Sequence, residues 1–177
     1  MTTSTQLNQA NQYPDVNLDQ LAGYNQKELA KLFAKLELDN VSKIDGNYRG
    51  KFYGMVGIEK LPRLLRRLFT KFFHIRLFIL WAGKTFHKGQ GANLFFFASR
   101  NFKNGFYDFY EKDADDGTGK CVYLNYAIPK NRGFWRVVRG EGRSLSEGVM
   151  LCRMLVINGG KPITIGYFTL EPVCSNG

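Results

Sequence analysis

Acidic residues are missing from 48 consecutive positions of this 177-residue chain. Between Lys60 and Tyr107 there are ten Lys and Arg and no Asp or Glu. The rest of the chain carries fifteen basic and fifteen acidic groups (25 − 10 against 15), so this one stretch supplies the whole net charge of +10. Both histidines, His74 and His87, fall inside it. A charge block this one-sided points to an anionic partner, with membrane phosphate, nucleic acid and an acidic ligand as candidates.

Other absences narrow the field. Ile75–Trp81 is apolar, but Arg76 breaks it and it falls far short of the ~20 residues of a membrane-crossing helix. The three cysteines, Cys121, Cys152 and Cys174, show no C-x-x-C spacing and read as free thiols in a reducing compartment. Two histidines without a ligand cluster argue against a metal site. The acidic group Asp113, Asp115, Asp116 lacks the later bidentate Glu of a calcium loop and reads as a turn. There is no nucleophile elbow, Walker loop or G-x-G-x-x-G after a strand, and neither histidine has an evident partner for base catalysis. The chain start, Met1-Thr2-Thr3-Ser4-Thr5-Gln6, has no basic or apolar signal-peptide region, so a cytoplasmic location is expected. No cofactor is expected.

Within the basic block, residues 62–74 carry a helical pattern. Arg63, Arg66, Arg67, Thr70, Lys71 and His74 fall on one face, and Leu64, Leu65, Leu68, Phe69, Phe72 and Phe73 on the other. Pro62 suits the first turn. Such a helix can lie at a membrane interface with Arg63, Arg66, Arg67, Lys71 and His74 toward lipid phosphates, or pack its apolar face on the protein's own core with the basic face solvated.

Elsewhere the pattern is that of β-structure, rich in aromatics and glycine. Residues 1–23 read as a flexible leader, and 24–177 as one domain. Asn25 and Glu28 form a capping-box signature for a helix through Leu29, Leu32, Phe33 and Leu36. Alternation from Tyr48 to Ile58 marks a strand, with Tyr48, Gly50 and Phe52 on one face and Arg49, Lys51, Tyr53 and Met55 on the other. Further strands are expected at 76–87, 92–99, 104–112, 120–128, 134–140, 148–157 and 162–171. Turn sequences at 113–119, 129–133 and 158–160 separate several of them. About eight strands in hairpin succession predict a mainly β fold with N-terminal and inserted helices, an antiparallel meander closing into a barrel.

Arginines in the late strands draw the eye to a binding site. In Met150–Val156 both faces are apolar apart from Arg153. An arginine pointing into such a barrel needs a carboxylate, waters or an anionic headgroup. Asp108 and Glu111 are the candidate internal partners. Arg136 and Arg139 follow Trp135 in a second such segment. Met55, Met150 and Met154 line an adaptable cavity or fill core gaps. Lys103–Phe109 is similar to the RNP1 element of RNA-recognition domains, but Asp108 and Glu111 would place negative charge beside the stacking surface.

Gly46-Asn47-Tyr48 after a short helix resembles the lipocalin and wider calycin opening G-x-W, with Tyr for Trp. The longer string Gly46-Asn47-Tyr48-Arg49-Gly50, with Trp81-Ala82-Gly83-Lys84-Thr85-Phe86 downstream, resembles the bacterial GxWxG-domain family. A helical insertion between the first two strands is similar to the lid of fatty-acid-binding proteins. The resemblance implies that Tyr48 and Trp81 close the barrel base and that Arg153 is a headgroup residue.

The expected function is binding of a hydrophobic, anionic, lipid-like small molecule by Arg153, Arg136, Arg139, Tyr48, Trp81, Met55 and Met154, with the basic helix as lid or as a surface docking the protein peripherally on an anionic membrane. A nucleic-acid-binding barrel using 60–107 is the alternative, and an enzyme acting on a lipid-like substrate the third.

Overall fold

The computed structural model describes residues 18–55, 62, 64–65, 81–97 and 100–173. Eight strands form a closed antiparallel barrel in simple sequence order: β1 Gly46–Met55, β2 Trp81–His87, β3 Gln90–Phe97, β4 Arg100–Asp113, β5 Lys120–Asn125, β6 Val138–Ser146, β7 Val149–Asn158 and β8 Lys161–Pro172. β8 returns to β1, from Tyr48 opposite Pro172 to Met55 opposite Gly166, so the described sheet has no free edge. The mainly β barrel expected from the hairpin succession is therefore the fold. Among the described residues no helix is long and apolar enough to cross a membrane.

Period-two alternation decides what fills the barrel. Tyr48, Phe86, Tyr107, Phe109, Val122, Leu124, Met150, Cys152, Phe168 and Leu170 point inward and pack as one cluster. Leu38, Val41 and Ile44 pack against it and close the end where β1 begins. The opposite end carries the β1–β2 insertion, the β3–β4 turn and the loop 126–137.

The outer face has a second core. Helices α1 (Leu18–Leu21) and α2 (Gln26–Lys35) lie on it, burying Leu21, Leu29 and Phe33 against Tyr53, Leu145, Leu151 and Tyr167. The capping box forms as the sequence indicates: Glu28 N–H donates to Asn25 Oδ1 (2.9 Å), and Asn25 N–H to Glu28 Oε2 (2.7 Å). Residues 18–23, assigned by composition to the leader, include helix α1, and Leu21 and Ala22 are buried in the outer cluster.

Residues 134–140 were expected as one strand. Gly133–Val137 is a 3-10 turn instead, entered through Gly133 at φ 57, and the strand runs on to Ser146. Gly140, Glu141, Gly142 and Arg143 hid its second half, since glycine and charge depress the strand signal. The glycines answer to packing. A Cβ on Gly142 would stand 2.9 Å from both Cys152 Sγ and Val122 Cγ1.

Of the helix expected at 62–74, Leu64 and Leu65 are helical and exposed. Arg63, Arg66, Arg67, Lys71 and His74 lie outside the described residues.

Candidate functional site

Among the described residues one lysine is inside the barrel. Lys84 pairs with Tyr48 across β1–β2, shares the inward face with Phe86, and is 3% exposed. Its Nζ donates to Asn93 Oδ1 (2.6 Å) and to the Tyr126 hydroxyl. Four rings surround it: Tyr107, Tyr126, Phe168 and Trp81 have centroids 5.1, 5.2, 5.4 and 5.7 Å from Nζ. Among the described residues no carboxylate is within ion-pair distance. Burial therefore pushes Lys84 down to about 7, with Cys152 acting in the opposite direction. Burial also raises the Cys152 thiol to about 12, with Lys84 acting against it, and raises the Tyr126 hydroxyl.

The polar partners are themselves held. Asn93 Oδ1 also accepts from Trp81 Nε1 (3.1 Å), and Asn93 Nδ2 donates to Gly105 O (3.0 Å). This fixes the amide's orientation, so its oxygen faces the lysine. An ammonium has three donors. Asn93 and Tyr126 occupy two.

Above this group, toward the insertion end, opens a cavity of about 190 Å³. Phe52, Phe95, Trp135 and Met154 supply apolar wall, and Lys84, Asn93, Tyr126 and Arg139 its polar part. Among the described residues no Asp or Glu lines it. Pockets for drug-sized ligands are roughly 300–1,000 Å³. This one is smaller than that range.

Trp81 sits in this wall and not at the base as the resemblance implied. It packs on Phe52 (4.5 Å between centroids) and edge-on to Phe168 (5.4 Å). Gly50 makes room for it: a Cβ there would stand 2.1 Å from Trp81 Cη2. Gly50→Val should drive the indole into the cavity, reducing its volume and costing about 1–3 kcal/mol of stability. Chemical denaturation and tryptophan fluorescence check this.

The other sequence candidates divide. Met154 and Arg139 border the cavity, Arg139 with its Nη1 donating to the Arg136 and Val138 carbonyls. Arg136 is exposed on the 3-10 turn. Tyr48 is buried toward the closed end, edge-on to Phe86. Met55 ends β1 opposite Gly166.

Arg153 does not enter the barrel. Cys152 and Met154 take the inward positions, so Arg153 faces out beneath α2, with its guanidinium 4.6 Å from the Phe33 ring. Its partners are Glu141 and Asp116, not Asp108 or Glu111. Nε and Nη2 bond Glu141 Oε2 (2.6 and 2.5 Å), and Nη1 bonds Asp116 Oδ2 (2.5 Å). Glu141 Oε1 accepts from Asp115 N–H (2.7 Å). Arg143, fully buried beside it, donates to the carbonyls of Phe33, Gly119 and Lys120 and so ties the end of α2 to the β4–β5 turn. These arginines are structural ties for the outer helix.

The sequence reading missed Lys84, Asn93 and Tyr126. Lys84 stood in the motif string, and its parity with Phe86 was the available signal. Asn93 pairs with Lys84 in the regular register of the β2–β3 hairpin, which the Lys88-Gly89 turn could have indicated; Tyr126 carried no signal, because its approach depends on how the segment after β5 crosses the barrel.

No family model and no curated protein matches the chain. Among solved structures, a crystal structure of a protein from Thermomonospora curvata is similar, with a TM-score of 0.57 at 16% identity over 84% of this chain and 87% of the other. At that identity the likeness extends to the fold alone.

Proposed function

We propose that the barrel binds a small hydrophobic anion, a carboxylate on an aromatic ring or short acyl chain, with its headgroup on Lys84. The observation that carries this reading is a buried lysine at an apolar cavity with no carboxylate beside it among the described residues. A protein maintains such a group against its desolvation cost when something else supplies the opposite charge. A bound carboxylate supplies that charge and takes the third ammonium donor, while the apolar wall covers the tail. The role given to Arg153 on sequence grounds passes to Lys84.

Calorimetric titration with octanoate and with octanol tests this. The parent should bind octanoate at least tenfold more tightly at pH 6.5, and Lys84→Met should erase that preference. Because the anion needs the protonated amine, octanoate affinity should be level near pH 6, where the ligand is still ionised, and weaken above pH 7, approaching tenfold per pH unit. Equal binding of acid and alcohol by the parent would refute the headgroup assignment.

A further inference from the structure

Charge and exposed apolar surface are concentrated at the same end of the barrel as the cavity mouth. In an up-and-down barrel that end gathers the last residues of β1, β3, β5 and β7 and the first of β2, β4, β6 and β8. Its described stretches (52–55, 81–84, 93–97, 100–104, 124–140 and 154–164) contain no Asp or Glu. Arg100, Lys103, Lys130, Arg132, Arg136 and Lys161 are exposed there. The carboxylates of the described residues fall elsewhere, toward the closed end and the outer helices, as Asp39, Asp45, Asp113, Asp116, Glu147 and Glu171 illustrate.

The same rim exposes large apolar side chains. Phe97 is 61% exposed, Phe134 60% and Ile163 47%, with Phe102 and Val137 beside them. Away from this end and from the β1–β2 insertion, only Tyr110 and Val173 are exposed large apolar residues among those described. An apolar ring studded with cations around an apolar opening has the chemistry of a bilayer-facing surface.

We infer that the open rim of the barrel docks on an anionic lipid bilayer, mouth down. The basic side chains meet the headgroup phosphates, and Phe97, Val137 and Ile163 enter the acyl boundary. In that pose the cavity opens to the lipid phase, where a hydrophobic ligand is most concentrated. Single-stranded nucleic acid would also meet a basic aromatic surface, but Val137 and Ile163 offer no stacking face, and Phe95 and Phe102 stack on each other. The surface stands on described rim residues, independently of the basic segment at 62–74.

Vesicle flotation of the full chain tests the inference, with phosphatidylserine–phosphatidylcholine and pure phosphatidylcholine liposomes. The parent should partition at least tenfold better onto the anionic vesicles. Arg132→Gln/Arg136→Gln/Lys161→Gln and, separately, Phe97→Gln/Val137→Gln/Ile163→Gln should each lose at least tenfold, while Lys88→Gln/Lys120→Gln at the far end stays within twofold. None of these residues lines the cavity, so both rim variants should keep octanoate binding, which also reports that they are folded. Lys84→Met should float like the parent, so failure of the ligand reading leaves this result unaffected. Rim variants that float like the parent would overturn the inference, as would an oligonucleotide bound through the rim in preference to anionic vesicles.

Discussion

Lys84→Met is expected to stabilise the ligand-free protein at pH 7 by about 2–4 kcal/mol while abolishing its preference for carboxylates. The gain is removal of a desolvation cost. Lys84 titrates at about 7 in the folded chain and near its ordinary 10.5 when unfolded. Below pH 7 both states are protonated and the full cost is present. Between pH 7 and 10.5 the unfolded chain holds more protons, so parent stability rises with pH relative to the variant, by up to ~1.4 kcal/mol per unit. Loss of the bonds to Asn93 and Tyr126 offsets part of the gain, at about 1 kcal/mol each. The stability difference between parent and variant should therefore be largest at pH 6–7 and shrink toward pH 9. Urea denaturation of both proteins across that range measures it. A lysine kept only for the fold would show the opposite: Lys84→Met would lose stability at neutral pH.

Arg153→Met should cost about 3–5 kcal/mol, because Glu141 is fully buried and would lose its principal partner. Arg153→Met/Glu141→Gln should recover part of that loss, the signature of a coupled pair. Octanoate binding should persist in either variant at a temperature where it remains folded, since the triad lies outside the barrel. The triad also sets an acid limit. Burial works to raise the Asp116 carboxyl, but hydrogen bonds from Arg153 and Thr118 and the guanidinium charge bring it down to about 2. Its stabilising contribution is present above the ordinary carboxylate range and is lost as pH falls through about 2. Loss of carboxylate binding in folded Arg153→Met would return the headgroup role to that arginine.

The barrel was legible because its signals are local. Alternation, hairpin turns and the Asn25–Glu28 capping box each act within a few residues, and each marks an element that forms. The misread pieces depend on distant partners. Gly140–Arg143 is a strand because Val122, Leu124 and Cys152 fill the space its glycines leave. Arg153 was correctly seen as needing a partner, but which face it occupies depends on the register of β7 between β6 and β8, and Glu141 and Asp116 follow from that register. The Lys84 group is the clearest case. Lys84 and Asn93 pair across the β2–β3 hairpin, but Tyr126, just past β5, reaches them only across the closed barrel, a meeting no short window reveals. The charge polarity of the rim was half visible: the acid-free stretch to Tyr107 marked its first part, while Lys130, Arg132, Arg136 and Lys161 join it only in three dimensions.

A nitrogen-15 NMR titration of the Lys84 side chain, free and with saturating octanoate, bears most directly on the central claim. The resonance is assigned by its absence from Lys84→Met. The account predicts a midpoint near pH 7 in the free protein, moving up by at least one unit when the carboxylate binds. A midpoint at the ordinary lysine value, or one near 7 that octanoate leaves unmoved, would contradict it.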